Sequence, residues 1–195
     1  MSDPGGKLTV EEERLALFMA RRSLELALTE NRLARPEELK VPPTGIFREP
    51  RAVFVTLKKQ AALRGCIGHI LPAEELWQSI RSNAVSAAVS DNRFARVTAA
   101  ELAGLEIDIS VLTVPADIPD YTHFKAGTHG IILELSGRRA VFLPQVAVEQ
   151  GWDGATTLTH LAMKAGLTPD GWRNPAARFK VFEAQVFSEE GASTQ

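Results

Sequence analysis

The sequence predicts an α+β domain: a mainly antiparallel sheet with flanking helices. Three observations carry that prediction. Two pairs of strand-like segments are joined by short polar turns, as in hairpins, and helical segments separate only isolated strands. Capping-box spacings, Thr9 with Glu12 and Thr98 with Glu101, mark helix starts. No G-x-G-x-x-G follows a strand and no Walker loop occurs, which argues against a parallel nucleotide-binding sheet.

The elements follow in order. The first helix starts at Thr9, with Leu15, Phe18, Met19 and Leu26 on one face, and Arg35-Pro36 lies at or beyond its end. Residues 41–45 (VPPTG) form a turn-rich connector. Residues 51–58 (RAVFVTLK) alternate as a strand, with Val53, Val55 and Leu57 on one face. Residues 63–70 (LRGCIGHI) follow after a turn containing Lys59 and Gln60, so the two segments form a hairpin. Pro72 opens a helix with Glu74 and Glu75 at its positive end and a stripe of Leu76, Ile80, Ala84, Ala87 and Ala88. This helix stops near Asp91-Asn92. A short helix runs from Thr98 to Gly104. Residues 105–113 (LEIDISVLT) then alternate as a strand with Glu106, Asp108 and Ser110 on a wetter face. Residues 130–135 and 138–143 pair about Ser136-Gly137. Asp153 caps a helix through Lys164 that stops at Gly166, and residues 179–187 form the last strand.

Composition bounds the function. The 195 residues suit one domain, or one domain with a lobe, and suffice for a sizeable core. With 45% hydrophobic and 24% charged residues, a compact fold is expected. The 22 basic residues against 24 acidic ones give no electrostatic case for nucleic acid. One cysteine excludes an intrachain disulfide framework and any zinc site needing several cysteines of this chain. The start MSDPGGKLTVEEE lacks a basic segment and an apolar run, and no apolar stretch reaches about 18 residues. The expectation is a soluble cytoplasmic protein without a membrane span and with no cofactor indicated. Residues 1–7 and 188–195 are expected to be tails around a single domain over 8–187.

The chemistry-bearing stretch is LRGCIGHI. Gly65 and Gly68 flank Cys66-Ile67, and glycine within a strand implies a bulge, a crossing element or a ligand close to the main chain. Arg64, two residues from Cys66, shares its face in a regular strand and would stabilise a thiolate or hold an anion. His69, three residues on, faces the other side unless a bulge at Gly68 resets the alternation and allows a Cys–His arrangement. Cys66 is therefore open to three readings: a small packing residue, a ligand-facing thiol or a covalent nucleophile.

Other candidates are weaker. Asp91 and Arg93 frame a helix end, either binding a polar ligand or fixing a loop. Glu106 and Asp108 share a strand face, for acid–base work or as a solvated surface. Gln145 and Trp152 lie in a loop after a hairpin, where binding residues collect. His123 and His129 do not have a zinc spacing, so no metal is expected. No G-x-S-x-G elbow indicates a serine hydrolase.

The hexapeptide LRGCIG resembles the signature of the AMMECR domain family, whose bacterial and archaeal members are called AmmeMemoRadiSam system protein A. Further matches are Asp91-Asn92-Arg93-Phe94, residues 107–112 (IDISVL), residues 142–146 (FLPQV), Gly151-Trp152-Asp153 and residues 164–167 (KAGL). The resemblance implies two unequal lobes with the signature near a groove between them. It implies a link to a Memo-like protein and a radical S-adenosylmethionine (SAM) enzyme, with Cys66 as a suspected functional residue. The family usually has proline where this chain has Asn92. Two functional expectations result. One is an accessory or adaptor domain with a binding groove at Cys66, Gly65 and Gly68. The other is an enzyme acting on a small molecule or protein, with Cys66 as reactive thiol and Arg64 and His69 assisting. An unknown small ligand and a symmetric homodimer belong to either.

Overall fold

The computed structural model describes residues 6–189. Its backbone forms two compact units: residues 6–112 with 185–189, and Thr113–Ala184. The chain order is α1 (Val10–Thr29), β1 (Ala52–Lys59), β2 (Ala62–Gly68), α2 (Leu76–Val89), β3 (Leu105–Leu112), β4 (Ala116–Ile118), β5 (Gly130–Leu135), β6 (Arg138–Phe142), α3 (Pro144–Gln150), α4 (Gly154–Lys164), β7 (Arg178–Phe182) and β8 (Ala184–Ser188). The α+β class holds, with two four-stranded sheets instead of one: β2-β1-β3-β8 and β4-β7-β5-β6.

In the first unit, Thr9 caps α1 through the reciprocal box with Glu12. The buried face of α1 is Ala16, Leu17, Met19, Ala20, Ser23, Leu24 and Leu26, while Leu15 and Phe18 are half-buried. The core-facing stripe is therefore rotated from the expected one. Helix α2 starts at Leu76, later than Pro72 suggests. The reason is local: Glu74 and Glu75 run extended against residues 49–51, with Arg51 N–H on the Glu74 carbonyl and Leu76 N–H on the Glu49 carbonyl. Helices α1 and α2 pack together, α2 lies on β1 and β2, and α1 reaches β3. Val53, Val55 and Leu57 meet them from β1 with no exposed surface. Ser110, expected on a wet face, is buried. Residues 1–5 and 190–195 of the expected tails lie outside the described residues. Ser188 closes β8, and the carboxylate of Glu189 accepts from Arg21 and from Ile107 N–H.

In the second unit, α4 packs on β6 and on the 3-10 turn Gly171–Arg173. Its core gathers Ile131, Leu133, Leu158, Leu161, Trp172 and Phe179. Asp153 caps α4 by accepting Thr156 N–H at 2.7 Å. Ser136 and Gly137, with φ of 52° and 75°, make the β5–β6 turn. That is the two-residue geometry suited to right-twisted strands. The last expected strand is two strands in different sheets. Its break is Glu183, whose N–H and carbonyl both bond Thr113. Gln145 stands in the first turn of the seven-residue helix α3 and not in a loop, whereas Trp152 lies between α3 and α4. Among the described residues no helix is long and apolar enough to cross a membrane.

Candidate functional site

Among the described residues, strand β2 is the outer strand of its sheet and pairs only with β1. The two join through Gln60 and Ala61, both at positive φ (52° and 61°). Register then decides what each residue of LRGCIG does. Leu57 pairs with Gly65 and Lys58 with Leu63, so Arg64 is the extra residue of a bulge. The bulge lies before Cys66, not at Gly68. From Gly65 to Gly68 the alternation is regular.

Gly65 and Ile67 oppose Leu57 and Val55 and share the helix-covered face. A Cβ on Gly65 would sit 2.1 Å from the Ala87 carbonyl oxygen of α2. A Cβ on Gly68 would sit 2.3 Å from the Phe54 ring and 2.4 Å from the Val53 carbonyl oxygen. The space cleared by both glycines is thus filled from within the chain: a crossing helix at one, a cross-strand ring at the other.

Cys66 opposes Thr56 on the other face, and Asp108 of β3 opposes Thr56 in turn. The thiol is free and partly exposed. Thr56 Oγ1 donates to Cys66 Sγ at 3.2 Å. Asp108 is held by Lys58 at 2.5 Å, so that carboxylate is already paired across the strands.

The Cys66 N–H points away from β1, and Asp91 Oδ2 accepts it at 2.9 Å. Asp91 follows the end of α2, and its side chain is 4% exposed. Arg93 meets the same carboxylate with a fork: Nε to Oδ1 at 2.9 Å and Nη2 to Oδ2 at 2.7 Å. The Arg93 backbone N–H adds a third contact at 3.2 Å. These donors, the Arg93 guanidinium first and the Cys66 and Arg93 amides after it, hold the Asp91 carboxyl well below the usual carboxylate range against the effect of burial. Arg93 is pushed above its ordinary value by Asp91, and a negative charge at Cys66 acts in the same direction.

Arg64 serves a different purpose from the expected one. Its guanidinium bonds Glu101 at 3.1 and 3.2 Å and the Ala95 carbonyl at 2.7 Å. Glu101 also takes Lys59 and caps the 3-10 turn Ala99–Gly104 with Thr98. Arg64, the Thr98 N–H and Lys59 lower its pKa to about 2. Arg64 therefore clamps residues 95–101 to the hairpin. His69 continues the ladder through its N–H to the Val53 carbonyl at 3.2 Å, which puts it on the opposite face from Cys66.

Gln145 and Trp152 belong to the second unit. Among the described residues, Gln145 Oε1 is buried without a hydrogen-bond partner. Trp152 stacks on His160 at 4.0 Å with ring planes 5° apart and tilts against Phe142 at 5.9 Å. Lys164 lies over Phe142 and donates to the Val141 carbonyl, with burial lowering its pKa. Among the described residues no three His, Cys, Asp or Glu side chains gather as a metal site. Sequence reasoning missed Thr56 as a partner of the sulfur. The hairpin register would have revealed it, but the unpaired Arg64 shifts that register by one.

Comparison with known proteins agrees with the motif. The AMMECR1 family model matches residues 17–187. A protein of Methanosarcina barkeri is 38% identical over 94% of this chain and 93% of its own. A protein of Methanopyrus kandleri is 41% identical over 95% of this chain and 92% of its own. The crystal structure of an uncharacterized protein from Pyrococcus horikoshii is similar with a TM-score of 0.86 and 35% identity over 95% of both chains.

Proposed function

The chain belongs to the AMMECR1 family, and from that footing we propose that it is an accessory or adaptor domain that offers the Cys66 edge strand to a ligand or partner. One observation carries the reading. The thiol of the partly exposed Cys66 is held by a neutral hydroxyl, while the nearby acid–base side chains are committed elsewhere: Arg64 to Glu101, and His69 to the opposite face. Such a site is built to present a thiol more than to drive a proton transfer. The partners we assign are a Memo-like protein and a radical SAM enzyme, on the strength of the LRGCIG resemblance. The cytoplasm is the compartment we assign, since a lone free thiol fits reducing surroundings. Sedimentation of the purified chain with each partner tests this. Complexes with dissociation constants in roughly the micromolar range are expected. No association with either partner at about 100 µM, with their cofactors loaded, would overturn it.

A second reading, an enzyme with Cys66 as reactive thiol, draws on the Thr56 donor and on the Arg93 guanidinium, which shares Asp91 Oδ2 with the Cys66 amide. Its test is turnover. A thioester or thioether at Cys66 that forms and clears with each cycle supports it, and substrate consumption unchanged in Cys66→Ala excludes it.

A further inference from the structure

We propose that Arg93 is an oxyanion receptor, and that the molecule reaching Cys66 carries a carboxylate or phosphoryl group that docks on it. The inference rests on the reading of Cys66 as ligand-facing and adds the ligand's chemical class.

The guanidinium presents five N–H donors in a rigid plane, grouped in two forks. One fork, Nε with Nη2, is spent on Asp91. The remaining N–H groups, both on Nη1 and one on Nη2, make no hydrogen bond among the described residues. One N–H of Nη1 and the remaining N–H of Nη2 form the second fork. The side chain is 55% exposed, while the carboxylate behind it is 4% exposed. A buried anchor and an open front are what a receptor needs.

The anchor also fixes where the fork stands. Asp91 Oδ2 accepts from both Arg93 Nη2 and Cys66 N, so the guanidinium and the cysteine backbone share one oxygen. The Phe94 ring lies 5.4 Å from the guanidinium carbon and limits its swing. An oxyanion on the free fork therefore meets a side chain whose ordering is already accomplished, and the cost of immobilising it at binding is small. Bidentate N–H···O pairs of this kind favour the planar or tetrahedral geometry of carboxylates and phosphates. The Asp91–Arg93 pair is neutral as a whole. Attraction comes from directed donors at short range, and a bare ion should bind in roughly the millimolar range.

The test is a nuclear magnetic resonance titration of the full chain. The Arg93 Nε–H and Cys66 amide signals are followed against inorganic phosphate and, separately, acetate, at constant ionic strength. Saturable shifts of both signals with either ion are expected. The tighter ion tells whether the ligand's anionic group is phosphoryl or carboxylate. Arg93→Lys, which keeps charge without a fork, should weaken the tighter ion at least about fivefold. Linear, non-saturating shifts to about 100 mM of both ions overturn the proposal. So does undiminished binding in Arg93→Lys. The wild-type titration decides even if the variant misfolds. Alkylation of Cys66 in the folded protein by neutral iodoacetamide is read separately. Its absence would sink the ligand-facing thiol beneath the proposal without touching the titration.

Discussion

Asp91 Oδ2 holds the Cys66 amide at 2.9 Å, tying the end of helix α2 to the open edge of β2. This bond joins two motifs that lie 25 positions apart in the chain. Replacing Asp91 with alanine removes a charge-assisted acceptor and frees Arg93 to solvent. We expect a loss of about 2 to 3 kcal/mol of stability. Urea unfolding checks it, with a lower midpoint at constant slope, and hydrogen exchange at the Cys66 amide should accelerate with it.

Two carboxylates around the Cys66 strand, Asp91 and Glu101, contribute to the acid response together with Glu38, Glu75, Asp120 and Asp153, whose pKa values are lowered as well. Both Asp91 and Glu101 have folded pKa values below their ordinary ones, Glu101 at about 2. A depressed folded pKa contributes stability above the unfolded value, near 4. That contribution is lost as pH falls through the folded value. Stability should therefore decline from about pH 4 to about pH 2, and the gap between wild type and Glu101→Gln should close over the same window. A gap that persists unchanged at pH 2 refutes the assignment.

Gly65→Ala should be the most damaging small change in the motif. The new Cβ meets the Ala87 carbonyl at 2.1 Å, and that oxygen belongs to helix backbone. Separating α2 from β2 should cost about 3 kcal/mol. Gly68→Ala should also destabilise. Adding Phe54→Ala should not restore it, because the Val53 carbonyl remains 2.4 Å away. Thermal melts of the three variants measure this.

Thr56→Val keeps the strand and removes the donor on the sulfur. A charged sulfur loses one hydrogen bond of about 1 kcal/mol, so iodoacetamide labelling of Cys66 near neutral pH should slow roughly fivefold. Labelling at the wild-type rate would mean that the hydroxyl does not serve the thiol.

Much of the fold was legible. Thr9, Thr98 and Asp153 announced their helical segments because caps satisfy local backbone donors. Ser136-Gly137 announced a hairpin because its turn needs positive φ. Helix α3 was missed although Pro144 and Gly151 mark its ends, since seven residues give too little periodicity. The last strand was read as one because alternation continues through Glu183, while the change of sheet depends on the distant Thr113.

The site divides in the same way. By itself, the sequence determined the family, the α+β class and the position of the lone cysteine between two glycines, all of which are matters of residue identity and short-range geometry. Only the tertiary structure decided that helix α2 and Phe54 occupy the room at those glycines, that Arg64 turns to Glu101, and that Arg93 shares the Asp91 carboxylate with the Cys66 amide. The physical reason is register. One unpaired residue in β2 changes which side chains meet across the hairpin, and a carboxylate 25 positions away reaches its edge only once α2 has packed.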